Sequence, residues 1–183
     1  AKDLLHHFGS LPRLLACSQN ELTRIHGMGL SKWAQIQAAY ELVKRSLEDG
    51  LSQDSIFSSP CHVREFLQAK IGRLPHEVFL CLYLDSRLHL IECQELFRGS
   101  LSHTAVYPRE ILKEALSRNA SALIVAHNHP SGNPLPSEAD QELTKILFKA
   151  LQLVDIPLLD HCIESGSGFF SFSDSGLMKI ESK

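Results

Sequence analysis

The sequence predicts an α/β fold in which a small all-helical N-terminal domain precedes a sandwich of mixed sheet and covering helices. Three observations predict it. Leu4, Leu5, Phe8 and Leu11 recur at helical spacing, and residues 1–48 are rich in helix formers. Two nearly continuous apolar runs, EVFLCLYLD (77–85) and SALIVAHNH (121–129), have the composition of strands buried on both faces. Helical stretches at 63–71, 108–119 and 137–154 alternate with these runs.

Taken in order, Ser18 followed by Glu21 has capping-box spacing and predicts a helix from Gln19 to His26. GMG (27–29) interrupts it. Ser31 can cap the next helix, KWAQIQAAYELVKRSLE. Residues 49–59, DGLSQDSIFSS, are polar with Gly and Ser and are read as a linker, so the domains are 1–48 and 60–183. VREFLQAKI (63–71) is a short amphipathic helix. EVFLCLYLD pairs with LHLIECQELF (88–97) as an antiparallel hairpin through the turn DSR. PREILKEALSRN (108–119) opens with Pro at a helix start and closes near Asn. SALIVAHNH leads into a Pro-rich loop, and a long helix follows over 137–154. IPLLDHCIES and GFFSFSDSG close the chain as strands joined by a Gly-Ser turn.

The composition bounds the function. With 44% hydrophobic and 21% charged residues, the chain is globular and not disordered. No apolar stretch reaches membrane-spanning length, so no membrane partner is expected. The opening residues AKDLLHHFGS lack the apolar core of a signal peptide. Because Ala1 lies inside a helical run without Met, further residues are expected to precede it. The five cysteines form no C-x-x-C pair, so a disulfide framework or a four-Cys zinc site is not expected. Reduced, mostly buried thiols in the cytoplasm are the expectation.

The chemistry concentrates in HNHPSGNPLPSEAD (127–140). Period-two alternation points His127 and His129 to the same face of a strand end. Asp140 falls in the first turn of the following helix, where its carboxylate can swing back to them. Two His and one Asp suit zinc and leave its fourth position for water, the arrangement of a hydrolytic site. The same residues also have ordinary roles: histidines as loop polar groups, Ser137 as N-cap, Asp140 as complement to the helix dipole. Spacing alone leaves both readings open.

The run resembles the JAMM motif of MPN-domain metallopeptidases: H-x-H, seven residues, S, two residues, D. His127, His129, Ser137 and Asp140 fit it at every position. A wider similarity, to the bacterial RadC-like proteins, a family named for DNA repair, runs through ELFRGSL (95–101), PREILKEAL (108–116), AHNHPSGNPLPSEAD (126–140) and IPLLDH (156–161). The resemblance implies a cytidine-deaminase-like MPN/JAMM α/β sandwich with Zn2+ held by His127, His129 and Asp140. It further implies that Ser137 helps hold an oxyanion and that a Glu at the head of the first core strand moves protons through a water. Glu77 holds that place, with Glu92 and Glu95 as acidic rivals on the next strand. Glu77 is preferred because a carboxylate at the entrance of a buried strand is partly desolvated, which raises its pKa toward that of a useful base. The implied reaction is amide or isopeptide hydrolysis of an unidentified peptide or protein substrate. Asp160 and His161 match the family's DH and are expected to support the site from behind its ligands or to form a satisfied buried pair. His89 and His103 are read as ordinary surface histidines.

LTRIHGMGLSKWAQIQAAYEL (22–42) resembles a helix-hairpin-helix, which implies nonspecific DNA backbone contact through Gly27, Gly29 and Lys32. Residues 1–50 carry six Lys/Arg against five Asp/Glu, too even a balance for a basic footprint. The alternative function is a DNA-binding or recombination accessory protein with a structural or vestigial metal site. A nuclease is not indicated by the string HNH, since nucleases so named draw those residues from separate parts of a ββα unit. The zinc deaminases need a C-x-x-C that is lacking here.

Overall fold

The computed structural model describes residues 2–56, 60–99 and 107–178. Four helices come first: α1 (Lys2–Phe8), α2 (Leu11–Ala16), α3 (Gln19–Thr23) and α4 (Leu30–Gln53). The apolar recurrence from Leu4 to Leu11 is split between two helices, because Gly9 takes a left-handed φ of 73° and Ser10 caps α2. The Ser18–Glu21 capping box forms as expected, but α3 stops at Thr23 and the chain turns through Gly27 at φ 76°. The cap of α4 is Gly29, not Ser31. Its extended backbone presents a carbonyl to the N–H groups of Lys32 (3.1 Å) and Trp33 (3.2 Å). Leu14, Cys17 and Leu22 form a small core here, with Phe8, Met28, Trp33 and Ile36 packed on it.

Helix α4 overruns the expected linker as far as Gln53; residues 57–59 of that linker lie outside the described residues. Gly50 and Ser52 cost the helix about 1 kcal/mol or less each. Leu51 is 2% exposed and joins the core of the α/β domain with Ile56. Burying one Leu contributes roughly 1.5–3 kcal/mol, so packing outweighs the polar composition. Lys70 of α5 (Pro60–Lys70) pairs with Glu48 at 3.1 Å, and Tyr40 donates to the Ala69 carbonyl.

Beyond α5 come β1 (Val78–Leu84), β2 (Leu90–Arg98), α6 (Pro108–Ser117), β3 (Ala122–Asn128), α7 (Glu138–Gln152), β4 (Leu158–Glu164) and β5 (Phe169–Ser171). The sheet order is β2-β1-β3-β4-β5, with only β3 and β4 parallel, so the sheet is mixed as predicted. The parallel step needs a crossover, and α7 supplies it. All seven residues of β1 and of β3 are buried, because each strand has neighbours on both sides and helices on both faces. On one face Leu80, Leu82, Ile124 and Ala126 meet Phe66 and Leu67 of α5. On the other, Phe79, Cys81, Leu123 and Val125 meet Ile111 of α6 and Leu147 and Leu151 of α7. This second face carries the candidate site, at the mouth of β1 and β3.

Candidate metal centre

His127 stands opposite Phe79 in the last pair of the β1–β3 ladder and is fully buried. His129 lies two residues on, past the strand end. Its backbone N–H donates to the Glu164 carbonyl (2.8 Å), which carries β3 along β4 for one more step. The alternation that predicts a shared face holds: the Nε2 atoms of His127 and His129 are 3.0 Å apart. The Pro-rich loop returns the chain to Ser137, which caps α7, and Asp140 sits at the third helical position. The capping box is reciprocal. Asp140 N–H donates to Ser137 Oγ (3.2 Å), while the Ser137 N–H (2.8 Å) and hydroxyl (2.6 Å) donate to Asp140 Oδ2. Oδ1 faces His127 Nε2 at 3.2 Å, and His129 Nε2 lies 3.5 Å from Oδ2.

These spacings suit an ion. Zinc–ligand bonds of about 2.0–2.1 Å set the edges of a tetrahedral shell at about 3.3–3.4 Å. The three donor pairs measure 3.0, 3.2 and 3.5 Å, and His127, His129 and Asp140 are the one group among the described residues whose donors cluster in this way.

The tautomers follow from the partners. The Asp140 backbone carbonyl can only accept, so the Thr144 hydroxyl donates to it (2.6 Å). That hydroxyl has one hydrogen, so it accepts from His161 Nδ1 (2.6 Å). His161 Nε2 is then a lone pair and accepts from His127 Nδ1 (2.9 Å), which leaves a lone pair on His127 Nε2, facing the site. Independently, His129 Nδ1 donates to the Asn133 carbonyl (2.8 Å), leaving its Nε2 bare as well. With both imidazoles neutral, two lone pairs lie 3.0 Å apart beside a carboxylate, an arrangement relieved by a cation between them, either a proton or a metal ion.

The electrostatics agree. In the metal-free centre a proton takes the cation's place: burial pushes the Asp140 carboxyl up, but the facing His127 and His129 imidazoles, when one carries that proton on Nε2, and the Ser137 hydroxyl outweigh burial and hold the group well below the usual carboxylate range. The hydrogen bond to Asp140 raises His129, with Glu77 adding a smaller contribution. Complete burial holds His161 far below its ordinary value, so it stays neutral, as the relay requires. Phe79 stacks on His127 (centroids 6.1 Å apart) and Phe172 on His161 (4.7 Å), which closes the relay to water.

The other predicted residues fall out as follows. Glu77 precedes β1 at the mouth, half-buried, and its charge acts on His129. Its rivals face elsewhere. Glu92 sits opposite Tyr83 near the far end of β1 and pairs with Arg118 at 2.9 Å; Glu95 is exposed and pairs with Arg98 at 2.7 Å. Asp160 and His161 separate. His161 joins His127, whereas Asp160 projects to the opposite face, where it accepts from the Ser171 hydroxyl (2.6 Å) and the Ser173 N–H (2.9 Å) and ties down β5. Asp160 therefore does not orient the ligands, because neighbours on a strand point to opposite faces. His89 pairs with Asp85 at 3.4 Å in the hairpin turn, and His103 lies outside the described residues. Lys32 turns back onto the Gly27 carbonyl at 2.6 Å, across the turn between α3 and α4 in which Gly27 and Gly29 lie. Sequence reasoning missed Thr144, although its place four residues after Asp140, on the same helix face, is a usable signal.

A family model described as the RadC-like JAB domain matches residues 57–177. The chain belongs to the RadC-like family. Among its relatives, a UPF0758 protein of Aromatoleum aromaticum is 54% identical over 97% of this chain and 80% of its own length. UPF0758 proteins of Janthinobacterium sp. and Ralstonia pickettii are each 48% identical, over 96% and 97% of this chain and 79% and 80% of their own lengths. The mixed five-stranded sheet, with helices on both faces and a helical region before it, is the expected JAB-type α/β architecture. No helix among the described residues is long and apolar enough to cross a membrane.

Proposed function

We propose that this RadC-like chain hydrolyses amide bonds, peptide or isopeptide, at a zinc ion held by His127, His129 and Asp140. One observation carries the reading. Two imidazole lone pairs and a carboxylate converge at ion spacing, each imidazole fixed from behind by a hydrogen bond. Zinc in a three-donor site supplies an open position, a water with its pKa lowered to about 7, and polarisation of a carbonyl. Glu77 takes the proton of the attacking water and delivers it to the leaving amine. Ser137 turns its hydroxyl from Asp140 Oδ2 to the developing oxyanion. Thr144 and His161 keep His127 in the tautomer that presents Nε2.

The test begins with metal content. Purified chain is expected to retain zinc, and Asp140→Ala is expected to lose it. Equal zinc in both removes the catalytic reading. A screen of peptide and isopeptide substrates follows, with Glu77→Gln as the control that binds zinc and cleaves at a strongly reduced rate.

A second reading, contact between the hairpin and a nucleic-acid backbone, is favoured by the left-handed turn at Gly27 before α4. Salt-dependent binding to a nonspecific duplex is expected to weaken in Lys32→Ala/Gly29→Val. Unchanged binding removes the hairpin from the account.

A further inference from the structure

The middle residue of the H-x-H motif has a side chain directed away from the ligands. Asn128 is 1% exposed. Its Oδ1 accepts the Val78 N–H at 2.8 Å, and its Nδ2 donates to the carbonyls of His76 (3.0 Å) and Leu74 (3.3 Å). Both residues that flank Glu77 are therefore bonded to one side chain. The Glu77 carbonyl is held in turn by the Gly99 N–H (2.9 Å) at the exit of β2.

The ladder shows what this arrangement accomplishes. Antiparallel pairing of β1 with β3 runs from Leu84↔Ala122 to Phe79↔His127 and ends there. Continued by one pair, it would bring the backbone of Val78 against that of Asn128. The Asn128 amide instead takes over the role of the next backbone group, spanning the strands as they part at the mouth where Glu77 and His129 emerge. An amide is the one side-chain group that can accept from an N–H on one side and donate to two carbonyls on the other. Asparagine is disfavoured in strands, and its burial at the end of a fully buried one is accounted for by these three bonds.

We propose that Asn128 is a positioning residue, a clamp that holds Glu77 in place at the metal centre while contributing nothing to the ion itself. The inference rests on the hydrolytic reading for the role of Glu77, but the clamp has readouts of its own. In Asn128→Ala, amide exchange at Val78 should accelerate by about tenfold or more, the loss of one buried hydrogen bond, while Leu80 to Tyr83 keep their protection. Zinc affinity should stay within about threefold of wild type, the ordinary limit for sites that do not couple. With a cleaved substrate in hand, kcat should fall toward that of Glu77→Gln with KM unchanged. The Asn128→Ala/Glu77→Gln double variant should be no slower than Glu77→Gln by more than about threefold.

Asn128→Asp keeps the size and the acceptor but loses both donors, so it replaces the Ala variant if that one does not fold cooperatively. It should free the carbonyls of Leu74 and His76 and lower kcat in the same way. Unchanged exchange at Val78 in Asn128→Ala overturns the clamp, as does unchanged kcat in Asn128→Asp, which keeps the Val78 acceptor but loses both donors. So does zinc affinity that falls in step with the rate, or full additivity with Glu77→Gln. If the wild type cleaves nothing, the hydrolytic reading fails, and Val78 exchange together with zinc affinity still decides the clamp.

Discussion

Thr144→Val is the sharpest probe of the relay behind His127. The two side chains have nearly the same shape, so the packing of α7 survives and only the hydroxyl is lost. That hydroxyl serves two buried groups, the Asp140 carbonyl and His161 Nδ1, both at 2.6 Å. Leaving buried partners unsatisfied costs about 1–3 kcal/mol. For a chain of this size each kcal/mol moves Tm by roughly 2–4 °C, so the metal-free variant should melt several degrees lower. The more telling quantity is the zinc increment. Without Thr144, nothing fixes the His161 tautomer, so His127 is no longer held with its Nε2 lone pair forward. Losing such outer partners costs about 10–100-fold in metal affinity, which removes about 1.4–2.7 kcal/mol of zinc-dependent stabilisation at saturation. The zinc-bound form should therefore lose more Tm than the metal-free form. Thr144→Ser, which keeps the hydroxyl, should bind zinc nearly as wild type does. The assay is chelator competition for zinc, paired with melts in zinc and in chelator. A Val variant with wild-type zinc affinity and an undiminished zinc increment would refute the tautomer argument and reduce Thr144 to packing.

Two further outcomes are expected. His129 has a folded pKa raised above its unfolded value, chiefly by Asp140, so its contribution to metal-free stability is complete below the unfolded value of about 6.5 and is lost as pH rises through the folded one. Zinc displaces that proton, so melts with chelator should decline over this window while melts with zinc should not; parallel curves would contradict the assignment. Leu51→Ala should cost about 2–5 kcal/mol in denaturant unfolding, because the residue is a core member, whereas a loss under about 0.5 kcal/mol would restore the linker reading of residues 49–53.

The candidate site was legible because its donors lie within fourteen consecutive residues on a strand, a loop and a first helical turn, each with its own local rule. Alternation placed His127 with His129, and the spacing from Ser137 to Asp140 marked a cap. The same alternation would have separated Asp160 from His161, but the pair was read as a unit because they are adjacent. Thr144 left half a signal, its place four residues after Asp140, but its second partner, His161, lies on β4. Asn128 left none, because its partners are backbone groups some fifty residues upstream, and sequence spacing carries no record of them. The linker was misplaced because polar composition predicts exposure, and Leu51 and Ile56 reverse it by reaching a core assembled mostly from later residues. The buried strands were found readily, since two flanking strands and two helical layers leave them no polar face.

Asp140 divides its carboxylate between two tasks, one oxygen closing the first turn of α7 and the other facing His127. Helix ends ordinarily fray, and a donor placed in a first turn would inherit that looseness. Here the donor is itself the fastener. The turn cannot open without moving Oδ1, and Oδ1 cannot drift without opening the turn. Order at the start of the helix and aim at the centre are thus a single equilibrium, and whatever stabilises one is recorded in the other.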